Sequence, residues 1–468
     1  MFAKIQRVHF VGIGGIGMSG IAEVLLNLGY KVSGSDLKPS AVTHRLVGMG
    51  AVICSEHRTE NVVGAEVVIT SSAITRDNAE VVAAHQQHIP VIQRAEMLAE
   101  LMRLKYGIAV AGMHGKTTTT SMIAAVLAAG GLDPTVVVGG RVDAMGSNAR
   151  LGKSQYLVAE ADESDRSFLK LSPILAVVTN IDREHMDCYR NMADVEQTFL
   201  KFMDLVPFYG MVVACNDNDD LRRLLPAVQR RIKTYGTHEQ SDFLISNVGC
   251  GPRKDSAALS SFHVSYRGSS LGEFHLRVPG EHNVRNATAA IAVGIGLDVP
   301  VEDIRRALED FNGVDRRFQR IGSAAGIAVV DDYGHHPTEI RATLAAARQC
   351  GFGKVHVIFQ PHRYTRTQLL LEEFSTAFRD ADSVIVLDIY PASEPPIPGI
   401  TGELLANRIR EIGGQEALYI PSFADAVRLA TSAAGAGDMI LTLGAGSISQ
   451  LGPQLLEELE SQTAKRVG

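Results

Sequence analysis

A glycine-rich loop near residue 115 carries the side chains whose types and spacing point most directly to chemistry. Seven consecutive residues form this loop: Gly112, Met113, His114, Gly115, Lys116, Thr117 and Thr118. In such loops backbone N–H groups hold phosphates, the lysine reaches the β and γ phosphates, and the next hydroxyl binds Mg²⁺. The loop is shorter than the usual GxxxxGK[ST] pattern, because position 110 is valine. We predict an ATP site here, against the alternative of a chance glycine turn.

Two acidic segments offer ligands for the metal ion of that site. Glu160 ends the apolar run 156–160 and begins an acidic turn over residues 160–165, and His185 lies in the segment 180–187 after a second apolar run. Ligands bind at the carboxyl ends of parallel strands, and Mg²⁺ takes oxygen ligands. We predict Thr117 and Glu160 as metal ligands, with His185 as a candidate for a second metal ion. Solvated loop residues are the alternative for Glu160 and His185.

A second glycine-rich turn lies near the N-terminus. Gly12, Gly14, Gly15 and Gly17 match GxGxxG between an apolar run and a helical segment, and Asp36 ends the next apolar run. Glycines allow the backbone to approach a pyrophosphate closely, and the acidic residue can hold a ribose hydroxyl. We predict a nucleotide diphosphate site. A tight turn without a ligand and an NAD- or FAD-dependent dehydrogenase are the alternatives.

A third group of candidates follows two apolar runs in the last third of the chain. Its members are histidine, arginine and tyrosine side chains at the ends of these runs: Tyr333, His335, His362, Arg363 and Arg366. Arginine binds carboxylates through two hydrogen bonds, and histidine accepts a proton near neutral pH. Arg316, in the segment 313–318, is a candidate for reaching the γ-phosphate. Surface charge on a loop is the alternative for this group.

Apolar runs bounded by glycines alternate with Ala- and Leu-rich helical segments through most of the chain. This alternation predicts an α/β fold with buried parallel strands. Three domains are expected: a Rossmann-like N-terminal domain over residues 1–103, a central P-loop ATPase-type α/β domain over 104–314, and a C-terminal Rossmann-like α/β domain over 315–468. The central domain is expected to contain antiparallel strands over about residues 241–279.

Length and charge limit the classes of function. The chain has 468 residues, which fits about three domains, and its net charge of −7 argues against a nucleic-acid-binding surface. Five scattered cysteines without CxxC spacing favour a reducing compartment over a disulfide framework or a zinc site. No apolar run is long enough to span a bilayer, and we expect a cytoplasmic enzyme.

Nine segments together resemble the Mur ligase family in sequence and in order. They are GIGGIGMSG (12–20), SSAI (71–74), GMHGKTTT (112–119), EADESD (160–165), NIDREHMD (180–187), GEHNVRNATAA (280–290), GVDRRFQ (313–319), DDYGHHPTEI (331–340) and FQPHRYTRT (359–367). The resemblance extends over essentially the whole chain. It implies a UDP-sugar-binding, an ATP-binding and an amino-acid-binding domain.

The resemblance implies ligation of an amino acid to UDP-N-acetylmuramate through an acyl phosphate, in peptidoglycan precursor synthesis. ATP and Mg²⁺ are the implied cosubstrate and metal, and the protein is expected to be a monomer or homodimer. The segments around Tyr333 and His362 favour L-alanine over a recycled tripeptide as acceptor.

The resemblance also implies roles for individual residues. Lys116 and Mg²⁺ neutralise the transferring phosphoryl group, and His335 or His362 accepts the amine proton. Arg363 or Arg366 binds the alanine carboxylate, with Tyr333 beside it. Further residues are implied to contact the nucleotides: Ser71, Ser72 and Ser164 the UDP-sugar, His282 and Asn283 the adenine, and Arg316 the phosphates. Asp331 is implied either to hold the ribose or to order the third domain.

Overall fold

The structure is a computed structural model that describes residues 5–71, 73–142, 147–251 and 259–467. Its strands form three separate sheets, and helices alternate with strands along the chain. The predicted α/β class, with sheets in three regions of the chain, is therefore confirmed.

The first sheet contains five parallel strands in the order β3-β2-β1-β4-β5. The strands are β1 (Arg7–Val11), β2 (Lys31–Ser35), β3 (Val52–Cys54), β4 (Val67–Thr70) and β5 (Val91–Gln93). The helices are α1 (Ile16–Asn27), α2 (Ala41–Gly48), α3 (Ala79–Gln86) and α4 (Arg94–Arg103). The chain reverses its winding direction between β1 and β4, which is where doubly wound sheets bind ligands. The first glycine turn follows β1 directly.

The second sheet contains ten strands in the order β15-β14-β13-β12-β11-β10-β6-β9-β7-β8. The strands are β6 (Tyr106–Ala111), β7 (Thr135–Val142), β8 (Ser147–Arg150), β9 (Tyr156–Glu160), β10 (Leu175–Val178), β11 (Met211–Cys215), β12 (Ile232–Gly236), β13 (Phe243–Cys250), β14 (Ser260–Tyr266) and β15 (Ser269–Leu276). The helices are α5 (Lys116–Ala129), α6 (Met192–Asp204), α7 (Asp219–Leu224), α8 (Glu281–Gly296) and α9 (Val301–Glu309).

The neighbours of β6 in this sheet determine which side chains meet at the ATP loop. β6 pairs in parallel with β9 on one side and with β10 on the other. The three segments that follow these strands are the glycine loop, the acidic turn and the segment that contains His185. Because the strands are parallel, all three segments emerge at the same edge of the sheet.

The third sheet contains six strands in the order β16-β17-β21-β18-β19-β20. The strands are β16 (Gln319–Ala324), β17 (Ile327–Asp332), β18 (Val355–Phe359), β19 (Ser383–Val386), β20 (Glu416–Tyr419) and β21 (Met439–Leu443). The helices are α10 (Pro337–Gln349), α11 (Tyr364–Leu369), α12 (Leu371–Ser375), α13 (Gly402–Arg408), α14 (Phe423–Ala433) and α15 (Leu451–Val467). Two apolar clusters pack against this sheet, one around Phe359 and Phe374 and the other around Val329 and Ile440. Antiparallel β16 forms an edge that the sequence analysis did not predict.

Packing groups the chain into two compact units. The first comprises Met1–Ser246, His263–Phe274 and Arg285–Phe311, and the second comprises Asn247–Phe262, His275–Val284 and Asn312–Gly468. The expected domain boundaries after residues 103 and 314 stay predictions. Within the described ranges, no helix combines the length and the apolar character that crossing a bilayer requires.

Candidate functional site

The backbone of the loop between β6 and α5 requires glycine at two positions. Gly112 has a φ of +137°, and a Cβ atom there would lie 2.0 Å from the Thr179 hydroxyl oxygen. Gly115 has a φ of +82°, and a Cβ atom there would lie 2.8 Å from the Asn286 carboxamide oxygen. Both conformations are ones that L side chains rarely adopt. The loop is therefore packed closely against the segment after β10 and against α8.

The segment after β10 holds the loop through His114. The Asn180 side chain accepts the His114 N–H over 2.9 Å and donates to the His114 carbonyl over 2.9 Å. The Thr179 hydroxyl donates to the same carbonyl over 2.7 Å, and His114 Nε2 lies 2.8 Å from Asp182 Oδ2. These contacts tie both the N–H and the carbonyl of His114 to the segment after β10.

The segment after β10 also occupies two backbone amides of the glycine loop. The Met113 N–H donates to the Asn180 carbonyl over 3.4 Å, and the His114 N–H is directed to the Asn180 side chain. Lys116, Thr117 and Thr118 occupy the first turn of α5, where backbone N–H groups have no intrahelical acceptor. A helix N-terminus of this kind favours an anion. The first-turn amides of α5 are therefore available to an anion, and the phosphate contacts predicted for Met113 and His114 stay predictions.

The ammonium group of Lys116 makes three hydrogen bonds. Nζ donates to the Gly112 carbonyl over 2.7 Å, to the Met113 carbonyl over 3.3 Å and to Glu163 Oε1 over 2.7 Å. Burial by itself lowers the pKa of Lys116, but the charge and hydrogen bond of Glu163 outweigh burial and raise this pKa above its ordinary value. Lys116 is therefore held in its charged form within the loop.

Glu163 is a buried carboxylate that the sequence analysis did not select. Its side chain is 1% exposed, and its Oε1 atom also lies 3.5 Å from His185 Nε2. The backbone is fixed by Tyr189, whose hydroxyl donates to the Glu163 carbonyl over 2.5 Å. His185 has a φ of +56°, an uncommon conformation for a residue other than glycine. A charged carboxylate, a lysine and an imidazole thus converge under the glycine loop.

The three predicted metal ligands occupy the same edge of the sheet. Glu160 is half-buried at the end of β9 and pairs with Val110 of β6. Thr117 is buried in the first turn of α5, and His185 follows β10. Their positions agree with the predicted arrangement, and their roles as ligands stay predictions.

Asp36 takes part in the first glycine turn through both carboxylate oxygens. Asp36 Oδ2 accepts the Gly14 N–H over 2.8 Å, and Oδ1 accepts the Lys38 N–H over 3.1 Å. The carboxylate closes the turn, and its contact with a ribose hydroxyl stays a prediction. Gly12 has a φ of +78°, and Gly15 precedes α1 as its N-cap. The turn leads into the N-terminus of α1, whose first turn contains Gly17.

Three serines were predicted to contact the UDP-sugar. Ser71 follows β4, and its carbonyl accepts the Ile74 N–H over 3.1 Å, which places Ile74 against Gly12. Ser72 lies outside the described residues. The Ser164 hydroxyl donates to Asp162 Oδ1 over 2.6 Å. Ser71 therefore lies beside the first glycine turn, and Ser164 lies in the acidic turn after β9.

Two histidines of the third sheet lie next to each other. The ring centroids of His335 and His362 are 5.7 Å apart, Tyr333 contacts His335 edge-on, and Tyr390 stacks on His362. His335 Nδ1 lies 3.0 Å from the Tyr333 carbonyl. Arg366 Nη1 lies 3.2 Å from His362 Nδ1 and 3.3 Å from the His362 carbonyl. Of the predicted candidates, Tyr333, His335, His362 and Arg366 thus form one cluster.

The two arginines of this region have different partners. The Arg363 guanidinium pairs with Glu394 over 3.1 Å, and Arg363 is the N-cap of α11 with a φ of +71°. Arg316 Nε donates to Asp331 Oδ2 over 3.1 Å, and its Nη2 donates to the Gly444 carbonyl over 2.6 Å. Arg316 thus joins the chain before β16 to β17 and to the loop after β21. Its contact with the γ-phosphate stays a prediction.

Asp331 and Asn283 also make structural contacts. Asp331 is 1% exposed, and its second oxygen accepts the Thr442 hydroxyl over 2.6 Å. These bonds join Asp331 to the chain before β16 and to β21, and its contact with the ribose stays a prediction. Asn283 Nδ2 donates to the Pro279 carbonyl over 2.8 Å, at the start of α8. His282 lies in the same first turn, and the adenine contacts of both residues stay predictions.

Four residues at these sites were missed by the sequence analysis: Glu163, Asn180, Asn286 and Arg94. Glu163, Asn180 and Asn286 lie inside segments that the resemblance to a family had marked, so a signal for them was present. Arg94 begins α4 outside those segments, and no motif marked it. Its guanidinium donates to Asp162 Oδ2 over 3.0 Å.

Comparison with known families matches three models in succession along the chain. The Mur ligase family catalytic domain matches residues 7–106, the Mur ligase middle domain matches 110–294, and the Mur ligase glutamate ligase domain matches 316–446. The matches cover most of the chain in the order that the motifs predicted.

Individual relatives are similar to the chain over almost its full length. It is 71% identical to a UDP-N-acetylmuramate–L-alanine ligase of Koribacter versatilis and 62% identical to one of Acidobacterium capsulatum, with 99% of each chain covered. Among solved structures, a UDP-N-acetylmuramate-alanine ligase of Thermotoga maritima is 30% identical, with a TM-score of 0.81 over 97% of this chain and 99% of that one. A murein peptide ligase of Psychrobacter arcticus, 24% identical with a TM-score of 0.69 over 97% and 99% of the chains, shares the fold.

Proposed function

Because this chain belongs to the Mur ligase family, we propose that it joins L-alanine to the lactyl carboxylate of UDP-N-acetylmuramate at the expense of ATP. The products are UDP-N-acetylmuramoyl-L-alanine, ADP and phosphate. The observation that carries the proposal is the loop around Lys116, built as an anion site beside buried carboxylates. Full-length identity of 71% to a ligase of this name supports the choice of substrates.

The need for ATP follows from the chemistry of the acyl donor. A carboxylate is a poor acyl donor, because its leaving group would be an oxide ion. Transfer of the γ-phosphoryl group to the lactyl carboxylate gives an acyl phosphate, from which the amine of alanine displaces phosphate. Lys116 and the first-turn amides of α5 stabilise the charge that spreads over the phosphoryl oxygens.

The residues around the loop suit a hard divalent cation. The Thr117 hydroxyl and the Glu160 carboxylate are oxygen donors of the kind that Mg²⁺ prefers. The buried Oε2 atom of Glu163 lacks a hydrogen-bond partner among the described residues. It is therefore a further oxygen that a cation could bind. When bound, the cation would neutralise phosphate charge. His185 fits this role less well, because imidazole is more typical of Zn, Cu, Fe and Ni sites.

Of the two histidines, His335 is the better proton acceptor for the alanine amine. A carbonyl only accepts, so His335 Nδ1 must donate to Tyr333, and Nε2 of the neutral ring carries the lone pair. A guanidinium only donates, so His362 Nδ1 accepts from Arg366, and Nε2 of His362 carries the hydrogen. We assign the base to His335 and a positioning role to His362.

Arg366 is the better candidate for the carboxylate of alanine. It lies in the histidine cluster through its contacts with His362, whereas the guanidinium of Arg363 is paired with Glu394. A guanidinium binds a carboxylate through two parallel hydrogen bonds, which also orients the amine. Arg363 then acts as the N-cap of α11, which carries Arg366.

The experiment that tests the proposal is phosphate release with ATP, Mg²⁺ and UDP-N-acetylmuramate, with and without L-alanine, combined with mass spectrometry of the product. Release that depends on both substrates, with a product heavier by one alanyl residue, is expected. Release without dependence on alanine would contradict the choice of acceptor. A tripeptide acceptor is then the next substrate to test. The dehydrogenase alternative is disfavoured, because the chain belongs to the Mur ligase family.

A further inference from the structure

The buried carboxylate of Glu163 stands in an unusual position next to Lys116. Its Oε1 atom accepts the Lys116 ammonium over 2.7 Å, and among the described residues its Oε2 atom has no hydrogen-bond partner. Only 1% of the Glu163 side chain is exposed. A buried polar atom left without a partner is unfavourable. Glu163 therefore retains one oxygen available to a cation.

Lys116 must give up a contact before it binds a nucleotide. An ammonium group has three hydrogens, and those of Lys116 are directed at Gly112, Met113 and Glu163. The first two acceptors are carbonyls of the loop that surrounds the phosphates. The third is the only side-chain acceptor of the three, and it is charged. Movement of Nζ onto the β and γ phosphates therefore separates Lys116 from Glu163 and leaves a buried negative charge without its partner.

A divalent cation is the chemical species that would compensate this loss. An unpaired buried carboxylate is strongly unfavourable, and Mg²⁺ takes carboxylate oxygens together with phosphate oxygens. Glu163 lies shortly after Glu160 in the acidic turn, at the same edge of the sheet as Thr117. His185 Nε2 lies 3.5 Å from Glu163 Oε1, so the imidazole is adjacent to the carboxylate.

We propose that Glu163 is a divalent-cation ligand whose place is held by Lys116 until ATP draws the lysine onto its phosphates. The exchange couples the two binding events: the nucleotide exposes Glu163 to the cation, and the cation in turn favours the displaced lysine. Cation binding is then weak without nucleotide and strong with it. The inference rests on the proposed use of ATP but not on the identity of the amino acid.

The first test compares wild type with Glu163→Gln in two binding measurements. Mn²⁺ serves as the probe, followed by electron paramagnetic resonance in the presence of a non-hydrolysable ATP analogue. Binding of the same analogue in EDTA is measured by calorimetry. We expect Glu163→Gln to weaken Mn²⁺ binding at least tenfold and to strengthen metal-free nucleotide binding several-fold, because Lys116 is released. Asp165→Asn, an exposed acid in the same turn, is the matched control and leaves both affinities unchanged.

A purely structural Glu163 gives a different result. Loss of support for the loop would weaken nucleotide and Mn²⁺ binding together, and that outcome overturns the proposal. Unchanged Mn²⁺ affinity in Glu163→Gln overturns it as well. Both readouts are independent of turnover, so failure of the proposed ligase reaction, seen as phosphate release that ignores L-alanine, is distinguishable from failure of this inference.

Lys116→Met supplies a second test that does not depend on the folding of Glu163→Gln. Without the ammonium group, Glu163 is exposed to the cation at all times. We expect Mn²⁺ alone, without nucleotide, to bind Lys116→Met at least tenfold more tightly than wild type. Equal or weaker Mn²⁺ binding by Lys116→Met would show that the lysine does not hold the place of the cation.

Discussion

Arg94 Nη2 donates to Asp162 Oδ2 over 3.0 Å, and the Arg94 guanidinium also lies 2.7 Å from the position that a Cβ atom would take on Gly17. One arginine at the start of α4 thus contacts both the first turn of α1 and the acidic turn after β9. Burial raises the pKa of Asp162, but its hydrogen bond from Ser164 and the charge of Arg94 outweigh burial and lower that pKa. The first glycine turn and the acidic turn after β9 are therefore linked through a charged pair.

Replacement of Arg94 is expected to weaken binding of the UDP-sugar more than binding of ATP. In Arg94→Ala, Asp162 loses its partner and Ser164 loses its orientation, while Lys116 keeps its contacts. We expect the KM for UDP-N-acetylmuramate to rise roughly tenfold, equivalent to about 1.4 kcal/mol. Arg103→Ala, at the exposed end of the same helix, is the control. An equal rise of the KM for ATP and for the UDP-sugar would contradict this assignment.

Gly115 is expected to tolerate no side chain, because of Asn286. Gly115→Ala places a methyl group 2.8 Å from the Asn286 carboxamide oxygen and also strains a φ of +82°. We expect kcat/KM for ATP to fall at least 100-fold, with a backbone cost of about 1 kcal/mol in stability. Gly131→Ala shares the backbone strain at a φ of +76° but meets no atom within 4 Å, so it isolates the strain. A Gly131→Ala enzyme as inactive as Gly115→Ala would refute the role of the contact.

The assignment of the base predicts unequal effects of two histidine substitutions. His335→Gln should lower kcat about 10²- to 10³-fold and remove the acid limb of the kcat/KM profile against pH. His362→Gln should chiefly raise the KM for alanine, since His362 contacts Arg366. Steady-state kinetics between pH 6 and pH 9, chosen as roughly the range about a histidine pKa, checks both effects. Loss of the acid limb in His362→Gln alone would reverse the assignment.

The carboxylate of Asp194 predicts a pH-dependent contribution to stability. Arg166 binds both of its oxygens, and the Arg190 N–H donates to one of them, so the pKa of Asp194 is lowered to about 2. A lowered pKa means that the stabilisation is present above the unfolded value of 3.8 and is lost as pH falls towards 2. Asp194→Asn should therefore have a lower free energy of unfolding than wild type at pH 7.

Denaturant unfolding at several pH values checks this prediction. The difference between wild type and Asp194→Asn should shrink between pH 4 and pH 2, taken as roughly the interval between the two pKa values. Arg166 also lies over the ring of Tyr189, which holds the backbone of Glu163. A difference that stays constant down to pH 2 would show that charge on Asp194 is not its source.

Much of the fold was predictable, because buried parallel strands read as continuous apolar runs. The apolar runs 67–70 and 355–359 coincide with β4 and β18. The run 107–112 differs from β6 by one residue at each end. Antiparallel β16 was missed because its sequence, QRIGSA, contains only two hydrophobic side chains, those of Ile321 and Ala324. Its place is determined by pairing with β17, which is a tertiary interaction and leaves no period in the sequence.

The site was predictable to the level of segments and less so to the level of atoms. The motif around Lys116 identified the loop, and the order of strands then brought the acidic turn beside it. The choice between Glu160 and Glu163 was not available from sequence, because residues after a strand follow no alternation of faces. Asp36 shows the same limit: its type and position suit a ribose, but its carboxylate turns back to the Gly14 N–H.

The clamp that Asn180 and Thr179 place on His114 has a thermodynamic consequence for ATP binding. Fixing the backbone of one residue costs roughly 1–2 kcal/mol in conformational entropy. Because the loop is tied to the segment after β10 in the folded chain, this ordering accompanies folding and not the arrival of the ligand. ATP therefore meets a preorganised loop, and its binding energy remains available for moving Lys116 and stabilising the transferring phosphoryl group.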